Sequence, residues 1–164
     1  MGDPEKAVLH AAESLSCLSE ELSPGHATLC WAKHHLGAAL VRAGRAEEGE
    51  RVLREAFEGR RELLCPQHLD TVSTAIELAE ALMALDRSGE AEALLRETLA
   101  GLEQALPPGN WMPDAANAVL GKCLMLRGEL DEAEERLEQA HAGLQQKLGP
   151  TGWRTQRALK LLIA

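Results

Sequence analysis

Six histidines (10, 26, 34, 35, 68 and 141) and four cysteines (17, 30, 65 and 123) are the side chains in these 164 residues best suited to metal or nucleophile chemistry. Their spacing supports neither. There is no His-Glu-x-x-His, no Cys-x-x-Cys and no ligand set on one helical face. His34 and His35 are adjacent, so a helix would point them about 100° apart. His26 and His68 are 42 residues apart. If they sit on successive stacked helices, about 8–10 Å separates them, too far for two bonds of about 2.1 Å to one zinc ion. His141 shares a sequence column with Leu15, Phe57 and Leu99, which predicts a partly buried structural histidine. The sequence therefore predicts no catalytic residue, no metal and no cofactor. The cysteines mostly stand where neighbouring repeats carry small or apolar residues, and are read as four reduced packing cysteines.

The elements that position these side chains are organised by four prolines, Pro24, Pro66, Pro108 and Pro150, spaced uniformly by 42 residues. A period of that size predicts stacked repeats. The columns between the prolines agree. Leu36, Leu78, Leu120 and Leu162 align, followed by Gly37, Ala79 and Gly121, then Leu40, Leu82 and Leu124. A turn column of Gly44, Asp86 and Gly128 comes next, then Gly49, Ala91 and Ala133, then Leu53, Leu95 and Leu137. Ala7, Ala11 and Ser14 continue the later columns backwards. The expected division is 1–23 (second helix of a partial repeat), 24–65, 66–107, 108–149, and 150–164 (first helix of another). The chain is expected to be a segment of a longer protein.

Apolar spacing predicts helices over 3–22, 26–43, 46–64, 68–85, 88–105, 111–127, 130–148 and 154–164. Gly59, Gly101 and Gly143 fall inside the second helix of successive units. Gly costs about 1 kcal/mol against Ala there, so the column predicts close approach of a neighbouring helix backbone, and Leu at Gly101 should destabilise the array. One Phe, three Trp and no Tyr leave packing to Leu and Ala. The net charge of −9 argues against sequence-independent nucleic-acid or anionic-membrane binding. No apolar stretch has transmembrane length, and the start lacks a signal-peptide core, which together predict a cytoplasmic chain.

The columns Leu36-Gly37, Leu40, Gly44, Gly49, Leu53 and Ala56, repeated twice more, resemble the tetratricopeptide repeat. That repeat is usually 34 residues; the eight extra here are similar to the longer variety of kinesin light chains and many bacterial signalling proteins. His68-Leu69-Asp70-Thr71 is similar to the inter-repeat turn of that subclass. The runs Leu106 to Trp111 and Gly149 to Thr155 also resemble the C-terminal repeats of some bacterial multidomain Ser/Thr kinases. The resemblance implies an all-α fold, a right-handed superhelical solenoid of antiparallel helical hairpins, and a non-catalytic scaffold. In the kinesin-light-chain type two Asn precede the first-helix Leu; here those positions are His34-His35, Ile76-Glu77, Ala118-Val119 and Lys160-Leu161. The carboxylate clamp of chaperone-tail binders is not present as a set either, so neither ligand class carries over.

In such an array the first helix of each pair lines the inner wall. Helical spacing places Trp31, His35, Ala38 and Arg42 there from the first unit, and Ser73, Glu77, Glu80 and Ala84 from the second. Ala115, Val119 and Lys122 follow, then Arg157. The expected peptide-binding residues are Trp31, His35, Arg42, Glu77, Glu80, Lys122 and Arg157, suited to a protein or peptide ligand of mixed charge. Trp111 and Trp153 are expected to staple each repeat to the one before it. The alternative function is structural self-association or spacing. The apolar end from Ala158 to Ala164 motivates it, and makes the chain a monomer or a weak dimer through that terminal helix.

Overall fold

The computed structural model describes residues 3–23, 25–107 and 109–163. Met1, Gly2, the repeat-marking Pro24 and Pro108, and Ala164 at the end of the expected last helix lie outside the described residues. Among the described residues there are eight α-helices and no strand. They are α1 (Pro4–Glu21), α2 (Ala27–Arg42), α3 (Ala46–Leu63), α4 (Leu69–Ala84), α5 (Ser88–Ala105), α6 (Met112–Arg127), α7 (Leu130–Leu148) and α8 (Trp153–Leu162). No helix among them is long and apolar enough to cross a membrane. The chain divides into two compact units after Asp86, one carrying α1 to α4 and the other α5 to α8.

Local chemistry fixes the helix ends. Asp3 caps α1 by accepting the Glu5 N–H at 3.1 Å, with Pro4 at the first helical position. At the starts of α2 and α4, the first helices of two successive repeats, the caps are histidines. His26 Nδ1 accepts the Thr28 N–H and His68 Nδ1 accepts the Asp70 N–H, both at 3.2 Å. Asn110 Oδ1 does the same for Met112 at 2.9 Å, so this column of the repeat is a capping column. At the other end, Gly44 adopts φ 80°. Its N–H bonds Val41 O, and the Arg45 N–H bonds Leu40 O. That paired closure satisfies two last-turn carbonyls and requires a left-handed residue. Asp86 (φ 58°) and Gly128 (φ 81°) occupy the same column. The turns between repeats share a further bond: Thr71 Oγ1 donates to Cys65 O at 2.9 Å, and Thr155 Oγ1 to Gly149 O at 3.0 Å.

In the first unit Val8 of α1, Ala39 and Leu40 of α2 and Val52 of α3 form one buried cluster, with Leu36 and Ala43 packed on it. Antiparallel α2 and α3 approach closely at two glycines. A Cβ on Gly37 would lie 2.6 Å from Leu53 Cγ and 3.1 Å from Gly49 O; one on Gly49 would lie 2.6 Å from Val41 Cγ2 and 3.0 Å from Gly37 O. In the second unit Ala118, Ala140, Leu144 and Ala158 join α6, α7 and α8, with Trp111 and Ala115 packed against them. Gly121 repeats the Gly37 contact, since its Cβ would lie 2.6 Å from Leu137 Cγ. Arg96 ties α5 to α7, donating to Glu92 at 2.7 Å and to Glu132 at 2.9 Å.

Two expectations are corrected here. Two glycines of the mid-helix column, Gly59 and Gly143, face side chains of the first helix in the same hairpin rather than a neighbouring backbone. A Cβ on Gly59 would meet Cys30 Sγ at 2.7 Å, and one on Gly143 would meet Asp114 Cγ at 2.6 Å. Cys30 and Asp114 share a column, so each glycine clears room for that position. Of the four cysteines, Cys30 and Cys123 are buried as packing residues, but Cys17 and Cys65 are exposed.

Candidate functional site

The first unit joins α2, α3 and α4 through a buried polar cluster that the sequence reading missed. Arg60, in the last turn of α3, is only 3% exposed. Its Nη1 donates to Asp70 O at 2.7 Å and to Thr74 Oγ1 at 2.6 Å, both on α4. Thr74 Oγ1 donates to Asp70 O at 2.8 Å and lies 3.3 Å from His34 Nδ1 on α2. Burial pushes the His34 imidazole down to about 4, and the Arg60 and His35 charges act in the same direction. Burial likewise lowers Arg60, opposed by Asp70. A signal for this cluster exists in the repeat. Arg60 occupies a column otherwise filled by Leu18, Leu102 and Leu144, and Thr74 one otherwise filled by Ala32, Ala116 and Ala158. Both columns are broken where they meet.

Beside that cluster stands an exposed stripe on α2. Trp31 is 52% exposed, and its ring meets His35 edge-on with centroids 4.1 Å apart. His35 is exposed, yet its imidazole is lowered by partial burial, then by the Arg60 and Arg42 charges. Arg42, also exposed, reaches Glu77 on α4 with Nη1 3.8 Å from Oε2. Glu80 follows Glu77 by one helical step and is partly buried. The first unit thus pairs Trp31 with His35 and Arg42 with Glu77, all on the flank of two first helices. Ala38, expected on the same wall, is only 2% exposed and belongs to the core.

Lys122 on α6 and Arg157 on α8 belong to the second unit, each partly buried. Val119, expected as a wall residue, is buried. The second unit carries its own aromatic cluster. The Arg154 guanidinium lies 4.1 Å from the Trp111 ring centroid and 4.2 Å from that of Trp153. Trp111 packs on the cluster shared by α6, α7 and α8. Trp153 is 61% exposed and is not a packed staple. Among the described residues no three His, Cys, Asp or Glu side chains converge as metal ligands.

The order of these features matches known repeats. Two family models described as tetratricopeptide repeat match the chain, one over residues 28–104 and the other over 115–139, together more than half its length. The chain belongs to the tetratricopeptide repeat superfamily. Repeats of this superfamily serve in general as non-catalytic scaffolds for protein interactions. Among solved structures, the fold is similar to the nearly identical TPR-like repeats of a protein from Podosopora anserina described as a kinesin light chain. One structure, of a variant, gives a TM-score of 0.76 at 23% identity over 97% of this chain and 75% of that one. A second gives 0.72 at 23% identity over 87% and 68%. BtubC (BKLC) from P. vanneervenii gives 0.75 at 19% identity over 89% of this chain and 58% of that one. These likenesses place the fold with the kinesin-light-chain-like variety of TPR hairpins. No curated protein matches the chain in sequence.

Proposed function

We propose that this tetratricopeptide repeat chain is a non-catalytic, cytoplasmic scaffold that holds a protein or peptide on the flanks of its first helices. Trp31, His35, Arg42, Glu77 and Glu80 are its contacts in the first unit, and Lys122 and Arg157 in the second. The repeat boundaries at 24, 66, 108 and 150 belong to the same reading, as does its place as a regulatory segment of a larger protein. The observation that carries it is Trp31: a large aromatic side chain left half in water and backed by His35, on the same helix as the exposed Arg42, which reaches the partly buried Glu77 of α4. Exposed aromatic and arginine side chains with firm backing are the groups that dominate binding energy at interfaces. Peptides selected from a displayed random library on the wild-type chain should bind Trp31→Ala at least roughly tenfold more weakly, about 1.4 kcal/mol or more. The exposed Trp153→Ala serves as control. Equal binding by Trp31→Ala would remove this face from the account.

A second reading, structural self-association, is favoured by one observation. Ile163, at the end of α8, is 77% exposed, and Leu159, Leu161 and Leu162 beside it are only partly buried.

A further inference from the structure

We propose that Arg60, buried where α2, α3 and α4 meet, anchors an oxyanion site: the Nε and Nη2 edge of its guanidinium takes a carboxylate or phosphate group from outside the chain. The site is separate from the Trp31 face and does not depend on it.

One nitrogen holds the guanidinium in place. Nη1 donates to Asp70 O and Thr74 Oγ1, and both acceptors are uncharged. Among the described residues no acceptor is hydrogen-bonded to Nε or Nη2, and no carboxylate is ion-paired with Arg60. Asp70 acts on Arg60 only through its charge, and its exposed carboxylate stands beside His68, 4.0 Å from Nδ1. Among the described residues every fully buried side-chain nitrogen and oxygen has a hydrogen-bond partner. Nε and Nη2 therefore keep contact with solvent, although Arg60 as a whole is only 3% exposed.

That edge is the part of arginine that this chain elsewhere gives to carboxylates. Arg45 holds Glu48 through Nε and Nη2, both at 2.7 Å, and Arg87 holds Glu90 in the same way at 2.6 and 2.8 Å. The fork matches two oxygens of a carboxylate or phosphate, and each bond is charge-assisted. In Arg60 the fork is oriented in advance, because Nη1 is pinned to α4.

The repeat does not need a cation here. Leu18, Leu102 and Leu144 fill the same column, and Leu102 and Leu144 are buried. A buried charge without a paired counter-charge costs stability, whereas an apolar side chain of similar volume does not. Burial already lowers Arg60, with the Asp70 charge only opposing it. A bound oxyanion supplies the counter-charge that the chain itself does not pair with Arg60.

The test follows the Arg60 Nε–H resonance of the isotope-labelled full chain at neutral pH during titration with inorganic phosphate and, separately, with acetate. Sodium chloride at matched ionic strength is the control. The expected result is a saturable shift with phosphate or acetate and none with chloride, and the oxyanion that saturates at the lower concentration is the one the site prefers. Two variants give a second readout, each first checked for native helicity. Arg60→Met is apolar like the rest of its column, and Arg60→Lys keeps the charge but not the fork. The preferred oxyanion should raise the melting temperature of the wild type more than that of either variant, with binding by Arg60→Lys weaker by roughly tenfold or more. Such salts also stabilise folded chains in general, so the difference between chains is what counts. An Nε–H resonance unmoved by both oxyanions, or moved equally by chloride, overturns the site and leaves water as the partner of that edge. Equal stabilisation of all three chains overturns it as well.

Discussion

At the scale of single residues, the decisive chemistry is one buried cation and its neighbours. Arg60 brings a charge into the interior of the first unit and is satisfied by a carbonyl and a hydroxyl of α4. His34, beside the same hydroxyl, must stay neutral, because a second positive charge there would be buried against the first. This sets a pH dependence. The unfolded chain takes up a proton at His34 near 6.5, the folded chain only near 4. Between those values the unfolded state binds more protons, so stability falls as pH drops from about 6.5 to about 4, by about 3 kcal/mol, and this contribution is flat below. Urea melts from pH 7 to pH 4 should show wild type losing about that much more than His34→Gln. Parallel loss in both proteins would mean that carboxylates alone set the acid limit. Sequence spacing alone does not reveal this cluster. The partners of Arg60 and His34 lie 14 and 40 residues away on another helix, and periodicity reports which face a residue takes, not which polar atom it meets.

At the scale of elements, the leucine columns and the turn residues were legible because each acts through its own helix. Gly44 and Gly128 sit in the left-handed turn the pattern predicts, and the predicted helix limits differ from the observed ones by a residue or two. The mid-helix glycines were legible as an anomaly but not in cause, because the group they clear lies on another helix. Gly143 makes room for Asp114, whose carboxylate also receives Lys147 Nζ at 2.6 Å. That geometry predicts coupling. Gly143→Ala should cost about 1–2 kcal/mol despite the better helix propensity of Ala, since the carboxylate is held by Lys147 and cannot simply turn away. In an Asp114→Ala background the same change should cost nothing or stabilise, giving a coupling energy of about 1–3 kcal/mol in a double-mutant cycle. Additive effects would show that Asp114 yields freely, and the column would then have no packing cause of this kind.

At the scale of the whole molecule, the all-helical repeat class followed from the 42-residue period and the leucine columns, and the superfamily match agrees with it. The candidate binding face was legible only in part. The spacing of Trp31, His35 and Arg42 put all three on one stripe of α2, where all three are exposed, yet the same spacing included Ala38 and Val119, which are buried. A stripe read from one helix cannot tell which of its members a neighbouring helix covers. The partner proposed for that face is a protein or peptide of mixed charge, and the net charge of −9 would also tolerate a basic one. The most direct test of the scaffold account is comparative capture from a cell lysate with three immobilised chains: wild type, Trp31→Ala, and Glu77→Lys/Glu80→Lys. The account predicts a protein retained by the wild type and lost from both variants. Equal capture by all three chains, or no specific capture by the wild type, would contradict it.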